Sequence, residues 1–415
     1  MITIIKQPEH LYYITKKMLY LSDRKMFVFY FVIFIWFTFF LCAQTVLSVP
    51  QFAVLNNEKC ISCHINAQGG GLRNFRGWRS YSDVSLIKPE KVKLDRVYKY
   101  DGKSNTLLNR KLTLGTDFRL QMARSHKSPD SKRRVFPMQA AVYADYKITN
   151  WIHTEVSYNF GPKKFEGQQS WTASAIIQPE FSYTQFRLGY FQPSIGIRYD
   201  DHIMLVRQVP GADGSTYIAP NYTEYGAEFN YNGFEQLTLT AGLYDTKSLA
   251  ENFVIDNNGK QVSLIDNRDT PSVLGRIVYW PEEFNENINL FSGGSYFLHD
   301  DFSISSLFTG IGFANTISVM TDYTRTVKTD MRTTNNLMVE LTYRVITPLQ
   351  IIVRGERGKT FTNIGGQDIK TYTNQAHIGT QIFVLPYIEL RPEYRIVDTE
   401  RFKSTRYAVQ LHIFR

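Results

Sequence analysis

From about residue 111 to the end of the chain, apolar and polar side chains alternate with a period of two. Met138, Ala140, Val142, Ala144, Tyr146 and Ile148 share one face, with Gln139, Tyr143, Asp145 and Lys147 between them. After Thr149-Asn150 the phase inverts, and Ile152, Thr154, Val156, Tyr158 and Phe160 oppose His153, Glu155, Ser157 and Asn159. Leu337, Val339, Leu341, Tyr343 and Val345 alternate with Met338, Glu340, Thr342 and Arg344. Ile388, Leu390, Tyr394 and Ile396 alternate with Glu389, Arg391, Glu393 and Arg395. Successive side chains of a strand point to opposite faces, so these runs predict strands with one apolar and one polar face.

About sixteen such segments follow one another: 111–124, 135–148, 150–160, 170–180, 184–192, 222–232, 235–245, 272–281, 287–298, 303–313, 315–326, 335–346, 348–358, 372–383, 386–396 and 405–415. Short connections at Thr149-Asn150, Asn232-Gly233, Asn315, Thr347-Pro348 and Leu385-Pro386 alternate with longer ones near 125–134, 161–169, 193–221, 246–271, 327–334, 359–371 and 397–404. The short set falls on the side of both barrel termini. That is the pattern of an outer-membrane barrel, with an even strand number, tight periplasmic turns and longer outer loops. A soluble sandwich also alternates, but charges of both signs on the polar faces of neighbouring strands suit a wet lumen. The expected class is all-β, an antiparallel transmembrane β-barrel of about 16 strands. Its last residues, His412-Ile413-Phe414-Arg415, place a base after the aromatic on which such barrels commonly end.

The N-terminal region reads differently. Residues 26–41, MFVFYFVIFIWFTFFL, are unbroken and apolar, after Lys16, Lys17, Arg24 and Lys25 and before small and polar residues. This is an export signal over 1–48, cut near Ala43 or Ser48, although an uncleaved anchor stays open. The run is short for a spanning helix, which needs about 20 apolar residues. The 14% aromatic content, with 26 Tyr, 29 Phe and 26 Gly, agrees with β structure. The net charge of +9 discriminates little, since residues 1–50 carry five bases against two acids. A basic cluster at Arg124, Lys127, Lys132, Arg133 and Arg134 reads as an exposed loop tip, and nothing in the charge pattern points to nucleic acid.

Between signal and barrel, residues 49–110 hold Cys60-Ile61-Ser62-Cys63-His64, a CxxCH. This is the attachment signature of a c-type haem: Cys60 and Cys63 form thioethers to the vinyl groups, and His64 ligates the iron. A zinc site would want two further ligands at recognisable spacing; a thioredoxin-like dithiol would want a βαβ unit. A disulfide between the two thiols is the remaining alternative. Gly69-Gly70-Gly71 follows closely, where the backbone can approach a macrocycle. With only about fifty residues before the first strand, this segment cannot enclose a haem alone, and the barrel mouth or lumen would supply the remaining wall. The sixth ligand stays open among Met122, His126, Met138, His153, Met204 and His202 or an open position; His202 is the candidate carried forward. It lies in the loop 193–221, whose Asp200, Asp201 and His202 read as a structured loop or as a redox or cation site. That long loop after the fifth strand could fold into the lumen or cap it.

With Cys60, Cys63 and His64 ahead of a barrel, the chain resembles the fused monohaem cytochrome–porins of bacterial outer membranes. The resemblance implies an outer-membrane electron carrier with one haem c, associated with oxidation of extracellular ferrous iron. Its implied partners are outer-membrane lipid, an extracellular redox donor or acceptor, and a periplasmic c-type cytochrome. Two other classes remain: a solute-diffusing porin whose haem segment is a sensor or docking tag, and a haem enzyme with an open sixth position. Lumen charges at Glu340, Arg344, Glu389, Arg391, Glu393 and Arg395 suit a wet pore equally well.

Overall fold

The structure is a computed structural model that describes residues 50–56, 58–64, 69, 71–94, 106–126, 134–161, 170–179, 184–197, 204–207, 218, 222–251, 253–255, 261–281, 287–364 and 367–415. The export signal of 1–48 and Asp200, Asp201 and His202 lie outside these residues, as does most of the basic tip at 127–133.

Among the described residues, sixteen antiparallel strands close into a barrel. They are β1 (Leu112–His126), β2 (Arg134–Lys147), β3 (Ile152–Asn159), β4 (Trp171–Ile177), β5 (Thr184–Phe191), β6 (Glu224–Phe234), β7 (Leu237–Tyr244) and β8 (Ser272–Tyr279). The second half is β9 (Ile288–His299), β10 (Phe302–Phe313), β11 (Ile317–Lys328), β12 (Arg332–Ile346), β13 (Leu349–Ile364), β14 (Gln367–Leu385), β15 (Ile388–Thr399) and β16 (Lys403–Phe414). Each pairs with its sequence neighbour, and β16 closes the ring on β1 with Phe414 opposite Asp117 and Thr405 opposite His126. Closure leaves no open edge, which is the condition for strands to stand in hydrocarbon.

The alternation resolves as predicted. Leu337, Val339, Leu341 and Val345 are exposed on the outer wall, while Met338, Glu340, Thr342 and Arg344 are buried inward. The same holds around the ring: Val142, Val156, Ile277, Leu307 and Val409 face out, and Asp145, Glu155, Arg276, Ser306 and Gln410 face in.

Three connections differ from expectation. Residues 327–334, 359–371 and 397–404 are mostly strand: β11 runs to Lys328 and β12 starts at Arg332, β13 runs to Ile364 and β14 starts at Gln367, and β15 and β16 meet across Thr399 and Lys403. The physical reason is that hydrophobicity fades there while the period persists. Thr334, Thr360 and Thr362 keep the buried face, and threonine favours strands as well as apolar residues do.

Among the described residues, chain packs into the lumen from both ends. Pro50–Leu55 forms a helix (α1), and Phe75–Arg79 a second (α2), in a plug that occupies the interior at the end bearing the short turns. At the other end the long connections fold inward. Ile195, Ile218, Tyr222, Leu249, Ala250, Leu264 and Ile265 form one apolar cluster with Tyr244, Leu274, Phe297, Phe302 and Ile304. The loop after β5 therefore takes the inward alternative where it is described. Leu205 N donates to Glu356 Oε2 at 2.6 Å, and Met204 and Val206 pack on Met338.

A cation on the outer wall must be desolvated by lipid. Val339→Lys, midway along β12, is expected to destabilise folding into liposomes by about 2–4 kcal/mol, measured by urea titration. Glu340→Gln, one residue away but inward, should instead leave the wall's transfer term unchanged and act through the loss of Arg354 (3.1 Å).

Candidate functional site

The plug is anchored by close backbone contact. Val54 of α1 packs among Ile197, Val278, Phe291, Phe308 and Met320. Gly310 and Gly312, two apart on the inward face of β10, make the room. A Cβ at Gly312 would lie 2.5 Å from Val54 O, and one at Gly310 would lie 2.7 Å from Val54 Cγ2. Asn289 Nδ2 of β9 donates to Leu55 O at 3.1 Å, satisfying a carbonyl that the helix end leaves open.

Beyond α1 the chain turns through a 3₁₀ segment at Cys60–Ser62. Cys63 N and His64 N both reach Cys60 O, at 3.2 and 3.0 Å, so the two thiols and the imidazole share one tight turn. The turn is clamped by α2. Asn74 N donates to Cys63 O at 3.0 Å and Asn74 Nδ2 to Ser62 O at 3.1 Å, while its Oδ1 caps α2 by accepting from Gly77 N at 3.0 Å. Gly77 lies against the same carbonyl: a Cβ there would stand 2.1 Å from Cys63 O. Arg76, one step round the helix, pairs with Glu58 ahead of the turn.

Cys63 and His64 are buried, and Cys60 is half-buried. The cysteines are separate thiols rather than a disulfide. Burial pushes the Cys60 thiol above its usual range, and the Arg276 guanidinium of β8 opposes that shift. Arg276 also donates from Nε to Gly196 O at 3.2 Å, so this side chain joins the neighbourhood of the turn to the infolded loop.

Two thiols and an imidazole in one turn are the donor types that would hold a haem c. Gly69 has φ +80°, and a Cβ there would meet Cys60 Sγ at 3.5 Å and His64 Cδ2 at 3.7 Å. Glycine thus leaves bare the face shared by one thiol and the imidazole, where any side chain would lie across both. Among the described residues no group of three or more His, Cys, Asp or Glu is placed to hold a bare metal ion.

Below the turn, Leu55, Leu72, Trp78, Tyr81 and Val84 pack against Phe383, Tyr387 and Phe414 of the barrel. Tyr387 Oη donates to Trp78 O at 3.0 Å, and the Arg73 guanidinium lies 4.6 Å from the Phe414 ring centroid and 5.0 Å from that of Tyr81. Leu86 N and Ile87 N donate to Phe383 O and Val384 O, at 2.8 and 3.1 Å, tying the plug to the end of β14.

The open ligand positions separate. Met122 and His126 are exposed on the outer wall, and Met138 is the extra residue of the β1–β2 bulge. His153 is bonded through Nδ1 to Asp145 at 2.6 Å. Met204 is buried against Val206 and Met338, and His202 lies outside the described residues. Sequence reasoning missed Asn74, Gly77, Gly115, Gly310, Gly312 and Phe414. Glycines at inward strand positions were the available signal, since a Cβ at Gly115 would meet Leu72 at 2.5 Å.

No family model matches the chain, and no curated protein does. Solved structures do resemble it. Pseudomonas putida OprB superposes with a TM-score of 0.52 at 12% identity, over 74% of this chain and 95% of that one. The outer membrane channel DcaP of Acinetobacter baumannii gives a TM-score of 0.51 at 10% identity, over 73% and 97%. The likeness is one of fold: a porin-like barrel.

Gly77→Ala forces backbone against backbone at Cys63. It is expected to cost about 1–3 kcal/mol of plug stability without opening the barrel. Faster cleavage within the plug by limited proteolysis, with unchanged heat-modifiable migration of the barrel, would report this.

Proposed function

We propose that this chain is an outer-membrane electron-transfer protein, in which Cys60 and Cys63 hold one haem c covalently and His64 ligates its iron. Electrons would pass between an extracellular redox partner, for which ferrous iron is the candidate suggested by the resemblance to cytochrome–porins, and a periplasmic c-type cytochrome. The observation that carries the reading is the position of the CxxCH turn inside the barrel. The hydrocarbon core is about 30 Å thick, so a redox group outside the wall would serve one face only. Bound at this turn, haem c supplies a reversible one-electron ferrous/ferric couple whose potential follows its ligands and burial.

The protein residues have separable tasks. Asn74 and Gly77 hold the turn that presents the thiols and His64, and Gly69 keeps one face of that turn clear. The apolar cluster of Phe191, Tyr222, Leu249, Phe297 and their neighbours packs part of the opposite half of the lumen. An apolar core of this kind weighs against a solute-diffusing porin, whose lumen would be wet and open. The likeness in fold to outer-membrane channels supports the location.

Cys60→Ala/Cys63→Ala should abolish covalent haem, seen as loss of haem staining after denaturing electrophoresis; staining that survives the double substitution would refute attachment. Purified protein in liposomes should pass electrons from a dye confined inside to one confined outside, with little solute swelling. Free swelling together with a redox-silent haem would instead establish the porin reading.

A further inference from the structure

We infer that the mouth of the plug at the short-turn end is a docking surface for an acidic soluble redox protein. This rests on the electron-transfer reading and gives its periplasmic partner a place to bind. Residues 73–93 carry six bases, Arg73, Arg76, Arg79, Lys88, Lys91 and Lys93, against Asp83 and Glu90. Arg76, Arg79, Lys88, Lys91 and Lys93 are all exposed. A groove of about 490 Å³ runs between the plug and the barrel lip, lined by three bases, Arg76, Arg79 and Lys88, with one acid, Asp83, on one side and Thr347-Pro348 on the other.

Beside the groove, Leu86, Ile87 and Val92 are exposed large apolar residues interleaved with Lys88, Lys91 and Lys93. An apolar centre bordered by charge with a positive excess is the anatomy of a transient protein interface, and the net charge steers the encounter. The groove is walled by the plug on one side, so it opens within the mouth of the barrel rather than onto its lipid-facing wall. That favours a protein over a lipid headgroup.

The placement is what gives the surface a use. Helix α2 presents Arg76 and Arg79 to the groove, and Gly77 of the same helix rests on Cys63 O. A partner seated on those arginines is separated from the CxxCH turn by the thickness of one short helix.

The test uses the full-length haem-loaded protein in nanodiscs, with an acidic and a basic c-type cytochrome as probes, and measures association rates by surface plasmon resonance. The acidic probe should associate in a salt-dependent way, and Arg79→Glu/Lys88→Glu/Lys91→Glu should slow it about tenfold or more. Heat-modifiable migration serves as the check that the variant is folded. Equal rates for the two probes, or no effect of the triple reversal, would overturn the proposal. So would binding of phosphatidylglycerol vesicles by the wild type alone with the acidic cytochrome binding neither form, which would assign the face to lipid. The same measurement on haem-free protein separates the two levels of argument. Salt-dependent acidic binding without haem, in a protein that proves redox-silent when loaded, leaves the docking surface standing and the electron-transfer reading refuted.

Discussion

Peptide groups in hydrocarbon have no water to bond, so a chain that crosses as strands must close its sheet on itself. Closure at sixteen strands encloses an interior far wider than side chains from the wall can fill. Such a space is either flooded or packed with other parts of the chain. Here it is packed from both ends, by residues 50–94 at one end and by the connections after β5 and β7 at the other. Much else follows from that choice: the paired luminal glycines, the inward aromatics near the barrel termini, and the seclusion of the CxxCH turn.

Filling a lumen puts charges out of water, and their pairing shows how this is tolerated. Arg187 reaches Glu155 at 2.9 Å, and Arg354 lies between Glu340 at 3.1 Å and Glu356 at 2.8 Å. A buried charge without a partner costs several kcal/mol, so these buried charges are held in pairs. They also hold the infill: Glu356 accepts from Leu205 N, and Glu228 accepts from Ser194 Oγ at 2.5 Å and from Tyr244 Oη at 2.6 Å. Glu340, one of the charges that suited a water-filled pore, is paired here with Arg354.

The wall was readable from the sequence because its signal is local. Period-two alternation at residues such as Leu337 to Val345 depends only on which face meets lipid, and each strand reports it independently. The strand extensions back to Arg332 and on to Ile364 were harder to read, since threonine and asparagine look like loop residues when hydrophobicity alone is followed. The CxxCH turn was equally local, five consecutive residues. Its surroundings were not. Gly312 against Val54, Gly115 against Leu72 and Phe414 against Tyr81 join positions that are far apart in the chain, two of the pairs by hundreds of residues, and nothing in a single sequence pairs them. Phe414 in particular looked like a slightly misplaced terminal aromatic, yet its ring packs edge-on against Tyr81 at 5.0 Å, inside the plug.

That last contact bears on the order in which the molecule is made. Trp78 and Tyr81 lie near the start of the folded chain, and Phe414 lies at the end of the strand that closes the ring. Cys63 is only 2% exposed once they have met. An enzyme that couples a cofactor to the two thiols could not reach them in the closed barrel. On the proposed reading, attachment therefore comes first, while the chain is still extended in the periplasm. The last strand then seals the loaded segment inside, so a chain that reaches the membrane without its cofactor has no later opportunity to acquire it.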